Sequence, residues 1–267
     1  MTTIQIISNF YKNMIIPRYK SLLSILGLWA LSHIALSIPL WIYTKQPVDK
    51  AIEMLLSAST ERLVNGVSFL NTFTPDELKF LVFLIISSLI IWIILSSYFE
   101  SVLILHIGSN VDFPKSIKQG WHYMPKLIGA RLLLAAILIA CIIVGFTVGL
   151  IVFPIAGLFV LLSVVVLIYF YVRLSFMTFE IIIQSTSLTG SLSESMQKTS
   201  KYSWGIFFIF VLIALCSSAL NNLTGNALIV GDVFSTVFQV ATVILILPLF
   251  LEAIRDARED QQSNINA

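Results

Sequence analysis

The chain has 267 residues, 58% of them hydrophobic and only 11% charged, with a mean hydropathy of +0.95. A water-soluble domain covers its surface with about a quarter charged residues, so the composition excludes a soluble globule. It leaves a polytopic membrane protein, with no room for a separate soluble catalytic domain and with a net charge of +2 too small to imply nucleic acid.

Between Arg131 and Arg173 run 41 residues without a charged side chain. A hydrocarbon core of ~30 Å takes roughly 20 helical residues, so this run must cross twice. Backbone groups in lipid have to be satisfied internally, which favours helices, and the alternating ~10-residue segments of a β-barrel do not occur. The predicted fold is an all-α bundle of six transmembrane helices with short interfacial amphipathic helices.

In chain order, the first apolar run begins near Ser21 and is too long for the core of a signal peptide, so it is expected to stay as a span over 21–43. Residues 44–78 form the one sizeable external segment, mildly acidic through Asp49, Glu53, Glu61, Asp76 and Glu77. Ile52, Leu55, Leu56, Leu63 and Val67 recur there at helical spacing, which predicts an amphipathic helix on the outer membrane face. Thr74-Pro75-Asp76-Glu77 opens the second span, 79–106, with a cap, a proline at the first helical position and acids at the positive helix end. The third and fourth spans, 127–149 and 153–183, divide at Gly145, Gly149 and Pro154. Spans at 204–221 and 233–253 follow, and Pro39 and Pro248 are expected to kink the first and last helices. Residues 1–258 form a single integral membrane domain and 259–267 a polar tail.

Lysine and arginine set the orientation. With both termini inside, twelve of the sixteen basic residues fall on the cytoplasmic side, leaving Lys45, Lys50, Arg62 and Lys79 outside. The expected location is the inner (plasma) membrane, with cytoplasmic N- and C-termini. Cys141 and Cys216 lie in apolar runs and read as packing residues rather than a disulfide framework.

The cytoplasmic connections resemble one another. At an offset of 79, Ser116, Ile117, Tyr123, Leu127 and Ile128 fall on Ser195, Met196, Tyr202, Ile206 and Phe207. Each stretch is basic, amphipathic and aromatic, and feeds a span; 114–124 and 191–204 are expected to lie along the membrane surface. Three units of interfacial helix plus helical hairpin result, near 1–108, 109–188 and 189–258. An inside loop that simply collects Lys, Trp and Tyr at headgroup level would look similar.

The stretch from Arg173 through Glu180 to Ser187-Leu-Thr-Gly-Ser-Leu-Ser-Glu-Ser-Met-Gln-Lys-Thr-Ser-Lys, then Trp204 and an apolar span, resembles the YciC-type family of bacterial inner-membrane proteins. It is also similar to the membrane domain found fused to glycerophosphodiester phosphodiesterases. Pro114–Lys126 resembles that family's first internal loop, and Glu252 with Arg255 matches the acid and arginine closing its final helix. The resemblance covers about 110–258 and implies a six-helix inner-membrane protein in a phospholipid context. No hydrolytic activity carries over, because the phosphodiesterase domain is missing from these residues.

Glu100, Arg173 and Glu180 lie within or at the edge of spans, where a charge costs ~2.5–3.5 kcal/mol on insertion scales and marks a functional suspect. Two arrangements are open. Arg173 pairs with Glu100 or Glu180 inside the bundle, or it snorkels to lipid phosphates while the acids reach the interface. Lys115, Lys118, Lys198 and Lys201 are the expected contacts for anionic headgroups. His33, His106 and His122 are scattered and offer no metal-ligand spacing, and no cofactor or catalytic motif is present. The expected role is non-enzymatic, a structural or interaction protein of the membrane and envelope whose partners are lipids or a membrane protein. A carrier for a lipid or small amphipathic molecule is the alternative; its mark would be a cavity lined by Glu100, Arg173 and Glu180.

Overall fold

A computed structural model describes residues 2–57, 74–151, 165–166, 168–224 and 228–265. Among them every regular element is helical. The order is α1 (Thr3–Phe10), a π turn (Tyr11–Ile15) and a 3-10 turn (Ile16–Arg18), α2 (Tyr19–Ser57), α3 (Pro75–Gly108), α4 (Phe113–Ile151), α5 (Met177–Ile183), α6 (Leu188–Lys198), a 3-10 turn (Thr199–Lys201), α7 (Ser203–Thr224) and α8 (Leu228–Ile265). Among the described residues, four stretches are long and apolar enough to cross a membrane: Thr3–Ile38, Val82–Gly108, Ser203–Leu220 and Val233–Glu259. The third expected span lies within α4, while much of the fourth falls outside the described residues, as do Leu63, Val67 and Pro154.

Local chemistry sets the helix ends. Thr2 and Gln5 form a reciprocal capping box at the start of α1. α3 begins at Pro75, where its missing N–H leaves no intrahelical bond unmade. It ends at Gly108, and Asn110 then takes a left-handed conformation with φ 55°. Arg18 donates to the carbonyls of His106 and Ile107 at 3.4 and 3.5 Å, capping the negative end of α3. The His106 ring ties the same corner together, with Nδ1 2.8 Å from the Val111 carbonyl and Nε2 2.7 Å from the Ser21 hydroxyl.

α4 differs from expectation. Residues 114–124 do not form a separate helix along the surface; they run through Pro125 into the third expected span as one helix of 39 residues. They pack antiparallel against the last turns of α3 because small groups let the backbones approach. Tyr98 and Ser101 donate hydroxyl hydrogen bonds to the carbonyls of Ile117 (3.2 Å) and Gly120 (3.0 Å). A Cβ on Gly120 would meet Val102 Cγ2 at 2.7 Å. α8 likewise continues helically past 258 to Ile265, into the segment expected as a polar tail.

Among the described residues the core lies toward one end. Buried side chains come from Ile25 and Trp29 in α2, Leu103 to Ile107 in α3, Leu127 in α4, Phe176, Met177 and Phe179 to Ile182, Ile206 in α7, and Leu247 to Phe250 in α8. All lie toward the end that carries α1, α6 and most of the basic residues, called the basic end below. Farther along the helices, large apolar side chains such as Phe83, Ile90, Ile139, Val144 and Leu215 are exposed, as suits surfaces facing lipid tails. The offset pairs share a burial pattern: Ser116 and Ser195 are buried, as are Leu127 and Ile206.

Candidate functional site at the basic end of the bundle

A broken helix builds the site. Residues 168–173 are helical, a turn follows at 174–176, and α5 resumes at Met177. The turn redirects the Met177 N–H to the Leu174 carbonyl at 3.0 Å, so the Arg173 carbonyl loses its helical donor. Buried hydroxyls from the next segment replace it. Ser195 Oγ donates to that carbonyl at 2.8 Å, and Thr199 Oγ1 lies 3.1 Å away. This is why small hydroxyl residues recur on the inner face of α6, and it fixes α6 against the break.

The same docking places Lys198 over Glu180. Glu180 is fully buried, and Lys198 Nζ lies 2.8 Å from its Oε1, an ion-pair distance reached without hydrogen-bond alignment. Lys198 also donates to Glu194 Oε2 at 2.8 Å and to Gln184 Oε1 at 3.2 Å. Burial alone would lower the ammonium's pKa, but the adjoining carboxylates of Glu180 and Glu194 outweigh it and leave the pKa raised. The Lys198 hydrogen bond in turn holds the Glu194 carboxyl below its ordinary range.

Glu100, Arg173 and Glu180 do not pair with one another. Glu100 pairs with Arg131, which also donates to the Ile93 carbonyl at 3.3 Å. The α3–α4 hairpin register sets this choice, because the Ser101–Gly120 contact brings the next turns of α4 alongside 93–100. Arg173 instead donates from Nε to the Tyr169 hydroxyl at 3.2 Å and lies 5.5 Å from that ring's centroid. The expected pairing of Arg173 with Glu100 or Glu180 is therefore replaced by Glu100–Arg131 and Glu180–Lys198. Of the expected headgroup lysines, Lys115 and Lys118 are exposed on the first turns of α4. Lys201 is exposed and paired with Asp256, whereas Lys198 is committed to the buried acid.

Beside Lys198 opens a polar groove of about 790 Å³ between α6 and the end of α8. Gln184, Glu194, Lys201, Tyr202, Asp256 and Arg258 line it, and the Tyr202 hydroxyl donates to Asp256 at 2.8 Å. Glu252 and Arg255 pair with each other one turn apart on α8.

A second polar cluster lies between α2, α3 and α8. The Trp29 indole donates to His33 Nε2 at 3.1 Å, with the Ser96 hydroxyl 3.4 Å from the same nitrogen and Thr236 Oγ1 3.4 Å from Nδ1. An indole N–H can only donate, so this arrangement puts the imidazole proton on Nδ1, facing Thr236. The Trp29–His33 spacing of one helical turn was the available signal, but Ser96 and Thr236 come from distant segments. Among the described residues no group of three His, Cys, Asp or Glu side chains could hold a metal ion.

No family model matches this chain, and neither a curated protein nor a solved structure does.

Proposed function

We propose that this is a non-enzymatic multi-pass protein of the inner (plasma) membrane. In this reading it has six spans and cytoplasmic termini, and it supports the envelope by holding anionic lipid headgroups, or a membrane-protein partner, at its basic end. The observation that carries the reading is the polar groove beside Lys201 and Arg258, set on the packed core, with Lys115 and Lys118 exposed at the start of α4. Each such cation is worth ~1 kcal/mol near an anionic membrane surface. The positive-inside bias supports the orientation, and the matched burial of Ser116 with Ser195 and Leu127 with Ile206 supports a duplicated unit. The YciC-type resemblance points the same way. A carrier would need Glu100, Arg173 and Glu180 around one cavity, and none of the three lines the polar groove.

The test is lipid mass spectrometry on protein purified from native membranes. Replacing Lys115, Lys118, Lys201 and Arg258 with Gln should lower the retained anionic lipid several-fold. Unchanged retention and unchanged partner crosslinks would overturn the reading. Lys198 is left intact, because its substitution would strip a buried acid of its counter-ion.

A further inference from the structure

We infer that the protein holds one phospholipid at a built site on its flank, with an acyl chain in the groove between residues 168–172 and α7 and the phosphate at Arg173. The groove has a volume of about 340 Å³ and is almost wholly apolar. That lies at the small end of the ~300–1,000 Å³ typical of sites for small ligands. Ile168 and Tyr171 form one wall, and Phe207, Phe210, Val211 and Ala214 the other, with the Tyr171 and Phe210 rings 4.7 Å apart. The two walls run antiparallel, since the first ends at the basic end and α7 begins there. From Phe207 to Ala214 the groove follows α7 for ~10 Å at 1.5 Å per residue, the direction a lipid tail takes.

Charge identifies the occupant. Arg131, Lys198, Lys201 and Arg255 each have a carboxylate partner. Arg173 forms no ion pair among the described residues, and its Nη1 is buried without an acceptor. It follows Val172, the last groove residue on its segment, and its Nε bond to the Tyr169 hydroxyl lies on exposed surface. A cation in apolar surroundings without a protein counter-ion calls for an external anion, and the planar guanidinium suits phosphate oxygens. Trp204, 74% exposed at the start of α7, stands at the basic end in the manner of the interfacial aromatics that flank headgroups.

The inference is tested in nanodiscs of phosphatidylcholine doped with a phosphatidylglycerol that carries a photoactivatable diazirine in one acyl chain. A diazirine-bearing long-chain alcohol without phosphate serves as the second probe. Adducts of the phospholipid should concentrate on Tyr171, Phe210 and Val211 relative to the lipid-exposed Leu132, Ile139 and Ile143. Arg173→Gln should lower this labelling several-fold while leaving the alcohol's labelling unchanged, and Arg173→Lys should restore most of it. Ala214→Trp, which fills the groove without touching the cation, should lower labelling by both probes. Adducts spread evenly over all lipid-facing residues, or Arg173→Gln labelled like the parent, would overturn the inference. The lysine variants that test the basic groove should leave this labelling intact, so the two ideas can fail separately.

Discussion

Lys198 makes two contacts of equal length whose weights differ because of burial. Glu180 has no exposed surface, whereas the Glu194 side chain is 40% exposed. Removing one partner of a buried pair costs ~3–5 kcal/mol, and an exposed pair one helical turn apart is worth ~0.3–0.5 kcal/mol. Lys198→Met should therefore sharply lower the melting temperature in detergent, and adding Glu180→Gln should restore much of it. Glu194→Gln should shift melting only slightly at neutral pH. Its effect belongs to the acid side: a carboxyl held below its ordinary value of 4.5 contributes stability above that value and loses it as pH falls through the folded value. Melting curves taken across that window should show less acid destabilisation in Glu194→Gln than in the parent. In the sequence, depth in a span was enough to single out Glu100 and Glu180. Their partners were not legible, because Arg131 and Lys198 are chosen by helix register and by the break at 174–176, neither of which follows from hydropathy. His33 read only as one of three scattered histidines, because its partners Ser96 and Thr236 come from distant segments.

Among the elements, the α3–α4 hairpin depends on the absence of a side chain at Gly120. Gly120→Ala would gain up to ~1 kcal/mol of helix propensity. It would also drive a methyl into Val102, whose branched side chain has little room to turn away. Overpacking of this kind costs ~1–3 kcal/mol, so the variant should melt lower, and Gly120→Leu lower still. The hairpin also fixes Glu100–Arg131. Arg131→Met should destabilise in detergent, while Arg173→Gln, with no carboxylate to strand, should leave the melting temperature nearly unchanged. At the broken helix, Ser195→Ala and Thr199→Ala together should expose α6 to proteolysis by leaving the Arg173 carbonyl without a donor, at ~1–3 kcal/mol for a buried unsatisfied group. The start of α3 was readable from Thr74-Pro75, because capping is a local property. The continuity of α4 was not. Pro125 and the polar run before it look like a boundary, and only packing on α3 carries the helix through.

For the molecule as a whole, apolar length and the distribution of basic residues made a helical membrane bundle legible. Reporter fusions after Ser109, Ser187 and Gln262 should read inside, and fusions at Val67 and Gly225 outside; an external signal from Ser109 or Ser187 would remove that topology. The location of the core could not be read, since both halves of each span are equally apolar. Among the described residues the packed side chains fall within the spans themselves, at 22–33 of α2, 96–107 of α3 and 240–253 of α8.

The core is not complete until α8 joins it, since α8 packs against α1, α2, α3, α6 and α7. During synthesis the earlier spans can each enter the bilayer, yet Phe176 and Phe179 lack the Phe250 ring, and His33 lacks Thr236, until α8 arrives. A nascent chain halted before Val233 is thus inserted but open, exposing His33 and these two rings to whatever surveys the membrane for unfinished proteins. The closing helix acts as a checkpoint: a chain lacking it should be cleared by membrane proteases far faster than one lacking only residues beyond Glu259.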